Sequence, residues 1–159
     1  MKRFWIFFVI ALTLGFALGC KKGSVKWVFS SGITVTDIQG NVYKVDPGDW
    51  CGSLGLPDTL SVAGLPTTFV FGYAYPNPAK DSTIIAYALP TSSKVHIWIE
   101  DRYGQDILDL VNEPQTAGFK YVVWYLQNYD GERVQSGIYR ANIRAGEYFH
   151  CDEGDILVE

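Results

Sequence analysis

Few side chains in this 159-residue sequence can do chemistry, and their spacing limits what that chemistry is. The histidines are His96 and His150. Nucleophilic catalysis needs a base within hydrogen-bond reach of a hydroxyl or thiol, and neither histidine sits in a recognisable nucleophile motif. No catalytic residue is therefore expected. His150, Cys151, Asp152 and Glu153 are metal-ligand types in one run. Consecutive residues of a strand alternate faces, so the four cannot close around one ion, and no metal is assigned. Asp46 with Asp49, or Asp152 and Glu153 with Asp155, carry the oxygen donors of a calcium loop. Acidic surface loops are more often simply solvated, and no cofactor is expected. The remaining reactive groups are the three cysteines, Cys20, Cys51 and Cys151.

The setting of Cys20 comes from what precedes it. Lys2 and Arg3 give a short positive start, and residues 4–14 are apolar apart from Thr13. That run is too short to span a bilayer, which takes about 20 apolar residues, and it has the layout of a secretory signal. The following Ala17-Leu18-Gly19-Cys20 resembles the lipobox of bacterial lipoproteins, with Ala17 in place of the usual leucine. The resemblance implies a signal peptide over 1–19, cleavage before Cys20, and a lipid on its thiol that tethers the chain to a membrane. Each acyl methylene buried there contributes about 0.8 kcal/mol. An ordinary signal peptide that happens to contain a cysteine is the alternative. Lys21 and Lys22 follow, with no aspartate beside the cysteine, which points to the outer membrane.

Loss of residues 1–19 from 159 leaves 140, enough for one domain, and removing Lys2 and Arg3 takes the formal charge from −4 to −6. Nucleic-acid binders cluster Lys and Arg against phosphates, so an acidic chain excludes that class. Beyond the signal no apolar stretch approaches membrane length, and attachment must run through the lipid on Cys20. In an oxidising compartment Cys51 and Cys151 either pair or stay as two separate buried thiols.

The elements that must position these groups are strands. Ile33, Val35 and Asp37 alternate with Thr34, Thr36 and Ile38, then Gln39-Gly40-Asn41 turns the chain back through residues 42–45, a hairpin pattern. Asp46-Pro47-Gly48-Asp49 is turn chemistry, and 51–67 reads as a Gly, Pro, Ser and Leu connection. Strands are expected over 69–74, 83–89, 94–101, 107–111, 120–126 and 137–145, with a short edge strand over 155–159. Only 106–112 offers a helix, and seven residues without good caps make a poor one. The organisation is a signal over 1–19, a tether with a hairpin over 20–67 and an all-β domain over 68–159.

Several landmarks in that domain fall in order: Tyr75-Pro76-Asn77-Pro78, the strand ending at Leu89-Pro90, Val95 to Asp101 followed by Gly104, Leu110, Ala117-Gly118, Trp124, Gly131 and Ser136-Gly137-Ile138-Tyr139. Together they resemble the immunoglobulin-like domain of flagellar hook-capping proteins and, equally, the carboxyl-terminal sorting domains of type IX secretion cargo. The family often has Asp-Gly directly after the tryptophan, where this chain has Tyr125-Leu126. The resemblance implies an immunoglobulin-like β-sandwich of about seven strands, with the hairpin as an addition, used for attachment and assembly rather than catalysis.

Recognition would then fall to surface aromatics. Aromatic residues make up 15% of the chain, and Trp27, Trp50, Trp98 and Trp124 lie beyond the signal. Trp98 is expected opposite the buried face of Val95 and Ile99, with Tyr87 as its neighbour, a strip suited to sugar stacking or a protein partner. Burial of both under the hairpin is the competing reading. The expected function is a non-catalytic envelope lipoprotein that presents the sandwich to a protein partner. A carbohydrate-binding lipoprotein is the alternative, with a glycan as ligand. A type IX sorting domain ranks third, because fewer than about 60 residues stand between Cys20 and the landmarks, where a large cargo is usual.

Overall fold

The computed structural model describes residues 32–51, 64–147 and 149–159. The signal segment, Cys20, Trp27 and most of the connection expected over 51–67 lie outside the described residues.

Period-two alternation builds the core. In β3 (Val70–Tyr75), β4 (Thr83–Leu89) and β5 (Ser93–Glu100), the side chains of Phe71, Ile85, Tyr87, Leu89, Val95, Ile97 and Ile99 are all buried. Burial of each large apolar side chain stabilises the fold by about 1.5–3 kcal/mol. β6 (Asp106–Gln115), β7 (Gly118–Trp124), β8 (Gly137–Ala145) and β9 (Phe149–Val158) complete the sandwich. One sheet runs β3-β4-β7 and the other β6-β5-β8-β9, with every pairing antiparallel. The chain is thus all-β, an immunoglobulin-like sandwich of seven strands, and the added hairpin is β1 (Val35–Thr36) with β2 (Val42–Lys44). Trp124 plugs the space between sheets: it is fully buried, its ring meets Tyr139 edge-on at 5.4 Å, and its indole N–H donates to the Gln127 carbonyl at 2.9 Å.

Two strands are longer than the sequence expectation. The strand expected over 107–111, where a helix was only a poor option, is β6, ten residues long and paired with β5 from Ser93 to Glu100 through two irregularities of register. Uncapped helical turns there cannot compete with a full ladder of cross-strand hydrogen bonds. The last strand begins at Phe149 rather than 155 and is also ten residues long. Its polar first half lacks the alternation that marks a strand, yet it pairs with β8 on both sides of a bulge between Ala141 and Ile143. Gly154 is required in it, since a Cβ would meet the Trp50 ring at 2.8 Å and the Ala141 carbonyl at 2.9 Å.

The hairpin and the segment after it close one seam of the sandwich. The Asp37 carboxylate accepts hydrogen bonds from the Gln39 and Asn41 backbone, the Asn41 amide and the Tyr43 hydroxyl, which fixes the turn at Gly40. Thr36 exchanges backbone hydrogen bonds with Asn77, and its hydroxyl donates to the Ala74 carbonyl at 2.7 Å. Further on, the Trp50 N–H donates to the Glu153 carbonyl and the Phe71 N–H to the Cys51 carbonyl. Trp50 holds a left-handed backbone (φ 64°) that a bulky residue adopts only under such constraint. A disulfide joins Cys51 to Cys151 across 100 residues.

Closing a loop of that length stabilises the fold by roughly 4–5 kcal/mol in the chain-entropy picture. Replacing both Cys51 and Cys151 by serine is expected to lower the unfolding free energy by about that amount in denaturant titration. A loss below about 1 kcal/mol would show that the crosslink does not constrain the unfolded chain.

Candidate functional site

The groups that could do chemistry are held apart by the sheets that carry them. His96 on β5 faces Asp109 on β6, with Nε2 2.7 Å from the carboxylate, and no hydroxyl or thiol among the described residues is bonded to it. His150 stands near Asp152 at 3.9 Å. Cys151, which separates them, points to the core and is consumed by the disulfide. Alternation along β9 thus divides the run of ligand types, and no metal-holding group of three His, Cys, Asp or Glu occurs among the described residues.

The two acidic groups that sequence spacing kept separate do converge. Asp46, Asp49 and Asp155 are all buried where the segment after the hairpin meets β9. Asp49 accepts from the backbone and hydroxyl of Thr34, and Thr34 in turn accepts from the Asp46 N–H. Asp155 is gripped by a two-pronged ion pair with Arg140, opposite it on β8, at 2.7 and 3.0 Å. That guanidinium balances the charge of Asp155. Asp46 keeps one buried carboxylate oxygen without a hydrogen-bond partner. Burial, then the charges of Asp155 and Asp46, push the Asp49 carboxyl up to about 7.

The aromatic strip expected at Trp98 and Tyr87 is not assembled, and this is a correction. Trp98 does lie opposite the core face, but it is only 7% exposed. His96 stacks on its ring at 4.6 Å, Arg144 covers it at 5.5 Å, and its N–H donates to Glu100. Polar neighbours on its own sheet bury it, and the hairpin does not: the hairpin bonds to Ala74 and Asn77 instead. Tyr87 belongs to the other sheet, faces the core at 1% exposure, and donates its hydroxyl to Gln115.

Two of the exposed aromatics are neighbours on one face of β7. In register with β4, Trp124, Val122 and Lys120 oppose buried Thr83, Ile85 and Tyr87, so Phe119, Tyr121 and Val123 take the outer face. Phe119 is 40% and Tyr121 72% exposed. Period two was visible over 119–124, but both of its faces are apolar save for Lys120. Lys120 lies on the core-facing side and bends its ammonium out to Thr116.

Comparison with known proteins bears on this sandwich directly. The model of the secretion system C-terminal sorting domain matches residues 73–152, from β3 into β9. The chain belongs to that family. The landmarks from Tyr75 to Ala145 all fall within the matched span. Membership marks an exported protein associated with the cell surface. The dimeric latent PorU of Porphyromonas gingivalis is similar at 15% identity and a TM-score of 0.44, over 54% of this chain and 9% of its own. PorZ of the same organism, an essential surface component of the type IX secretion system, is similar at 24% and 0.39, over 55% and 11%. The chain therefore spans about a tenth of either protein. No curated protein matches it.

The acidic cluster predicts the pH dependence of stability. Unfolded, Asp49 loses its proton near its ordinary value of 3.8; folded, it holds it to about 7. Its contribution is thus present at low pH and lost as pH rises through 7. The denaturation midpoint should fall between pH 5 and pH 8, and Asp49→Asn, which keeps an acceptor for Thr34, should flatten that fall. Equal midpoints for the unsubstituted chain at both pH values would refute the assignment.

Proposed function

We propose that this chain is a non-catalytic envelope lipoprotein whose sandwich is the part read by a type IX secretion machinery. The observation that carries the reading is the family match over 73–152, which covers most of the sandwich. Sequence spacing ranked the sorting reading third; the family match moves it first. Lipid on Cys20 would hold the exported chain at the membrane, with the outer membrane as its site, and the sandwich would meet a protein partner there.

A reporter that carries its own signal peptide and is joined ahead of residues 32–159 is expected to reach the cell surface in a host with a working type IX system and to stay in the periplasm when that system is deleted. Retention in both hosts would leave a docking lipoprotein without a sorting role. For the tether, Cys20→Ser should abolish incorporation of labelled fatty acid; label that persists would place the lipid elsewhere.

A carbohydrate-binding role is the second reading, and the open faces of Phe119 and Tyr121 favour it over a featureless surface. Calorimetry against a glycan panel decides between the two. The sorting reading expects no heat of binding, whereas saturable binding that Tyr121→Ala removes would establish the glycan role.

A further inference from the structure

Residues 32–51 form one piece that lies against the sandwich rather than within it. Thr34 near its start donates to Asp49 near its end and accepts from the Asp46 N–H, so the hairpin and the turn after it move together. β2 is exposed along its whole length, and Ile38, Val42, Tyr43 and Val45 stand open. Trp50 is the one apolar side chain of the piece in the buried core cluster, with Cys51 packed against it. The backbone of the piece meets both strands of the seam: Trp50 bonds to Glu153 of β9, Cys51 bridges to Phe71 of β3, and Thr36 bridges to Asn77 just beyond β3.

The seat is unfavourable for the groups that occupy it. Trp50 holds its left-handed backbone, φ 64°, which a bulky residue adopts only when its surroundings compel it. Its ring lies so close to β9 that a Cβ on Gly154 would meet it at 2.8 Å. Seating also carries Asp49 out of water and sets it beside Asp155 and Asp46, and burial and like charge both disfavour its ionised form. The crosslink from Cys51 to Cys151 sits at the next residue, joining the strained end of the piece to β9.

We propose that residues 32–51 are a redox-sensitive clasp: the Cys51–Cys151 bond keeps them seated, and without it they swing away from β3 and β9 while the seven strands stay folded. The strands have a core of their own, in which Phe71, Ile85, Leu89, Ile97, Trp124 and Ile143 are fully buried. The family match begins at residue 73, downstream of the clasp. In the folded sandwich the chain returns to the seat at Phe71, so the bond closes a loop of about 20 residues. Losing that closure raises the ratio of open to seated clasp roughly two hundredfold in the chain-entropy picture. An exported chain passes into a compartment where disulfides form. There, exchange with a disulfide-bearing oxidant joins the two sulfurs and leaves the oxidant as a dithiol, and a reducing dithiol runs the same exchange backwards. The clasp is therefore open until the chain has crossed into that compartment, and it seats afterwards. A clasp of this kind does not require the sandwich to be a sorting unit.

Backbone hydrogen exchange in the full chain at fixed pH, oxidised and after reduction with a dithiol, tests the clasp. The Thr36, Trp50 and Asn77 N–H groups should exchange roughly two hundredfold faster after reduction. Their rates should not respond to low concentrations of denaturant, as for a local opening that uncovers little surface. The Ile97 N–H on central β5 should keep the steep denaturant dependence of global unfolding. Replacing Cys51 and Cys151 together by serine should reproduce the reduced chain, and reoxidation of the unsubstituted chain should restore slow exchange. If Thr36 and Trp50 in the reduced chain exchange only together with Ile97, and with the same denaturant dependence, clasp and sandwich unfold as one unit and the proposal fails. Exchange at Thr36 and Trp50 that reduction leaves unchanged overturns it as well, because the seat would then hold without the bond.

Discussion

The structure hangs on one buried side-chain amide. Asn77, between Pro76 and Pro78, is fully buried, and its amide both donates to the Asp155 carbonyl at 3.0 Å and accepts from the Leu157 N–H at 2.9 Å. It therefore completes, from the connection between β3 and β4, the missing partner of the edge strand β9 in the opposite sheet. Its own backbone is bonded to Thr36 of the hairpin. One residue thus ties together both sheets and the added hairpin. A buried amide left unpaired costs about 1–3 kcal/mol, so the register of β9 against β3 and β4 has a single satisfactory value. The Trp50 plug and the disulfide both lie along the seam that this register defines.

Closing that seam has an electrostatic consequence. The residue whose carbonyl Asn77 holds is Asp155, and its carboxylate lies among Asp46 and Asp49 with Arg140 as ion-pair partner. Three carboxylates cannot all stay charged in that space. Arg140 neutralises Asp155, and Asp49 meets the constraint by keeping its proton to about 7. The cluster thus belongs to the joint between hairpin and sandwich, and its titration acts on how firmly the hairpin is seated.

How much of this the sequence discloses depends on whether the two faces of a strand differ. Strands β4 and β5 were legible because Ile85 and Leu89, and Val95, Ile97 and Ile99, form a single apolar row against mixed neighbours. β7 was found, but its faces were not, since Phe119, Tyr121 and Val123 look as fit for the core as Val122 and Trp124. Only the register with β4 decides, and register is a tertiary property. The first half of β9 escaped notice because it lacks alternation although β8 is only a tight turn away, and the close approach of Gly154 to Trp50 depends on a residue about 100 positions away in sequence. Trp98 was assigned to the right face, and its burial was one of the two readings left open; the cover is not the hairpin but His96 and Arg144, which come from two different strands. The acidic residues were visible as two clusters, and their meeting was not.

The two outer faces of the sandwich are consequently unlike. On the outer face of the four-stranded sheet Trp98 lies beneath His96 and Arg144, His96 meets Asp109 and Arg140 meets Asp155 across strands. That face spends its polar groups on one another. On the three-stranded sheet the outward side chains are Phe119, Tyr121 and Val123 beside Ile84 and Ala86, with few polar groups to satisfy. A recognition unit needs one surface that is incomplete and others that are not, because a second open face would aggregate as readily as it would recognise. The seam held by Asn77 and the disulfide supplies the closed side, and the exposed aromatics of β7 lie at the far end of the three-stranded sheet from it.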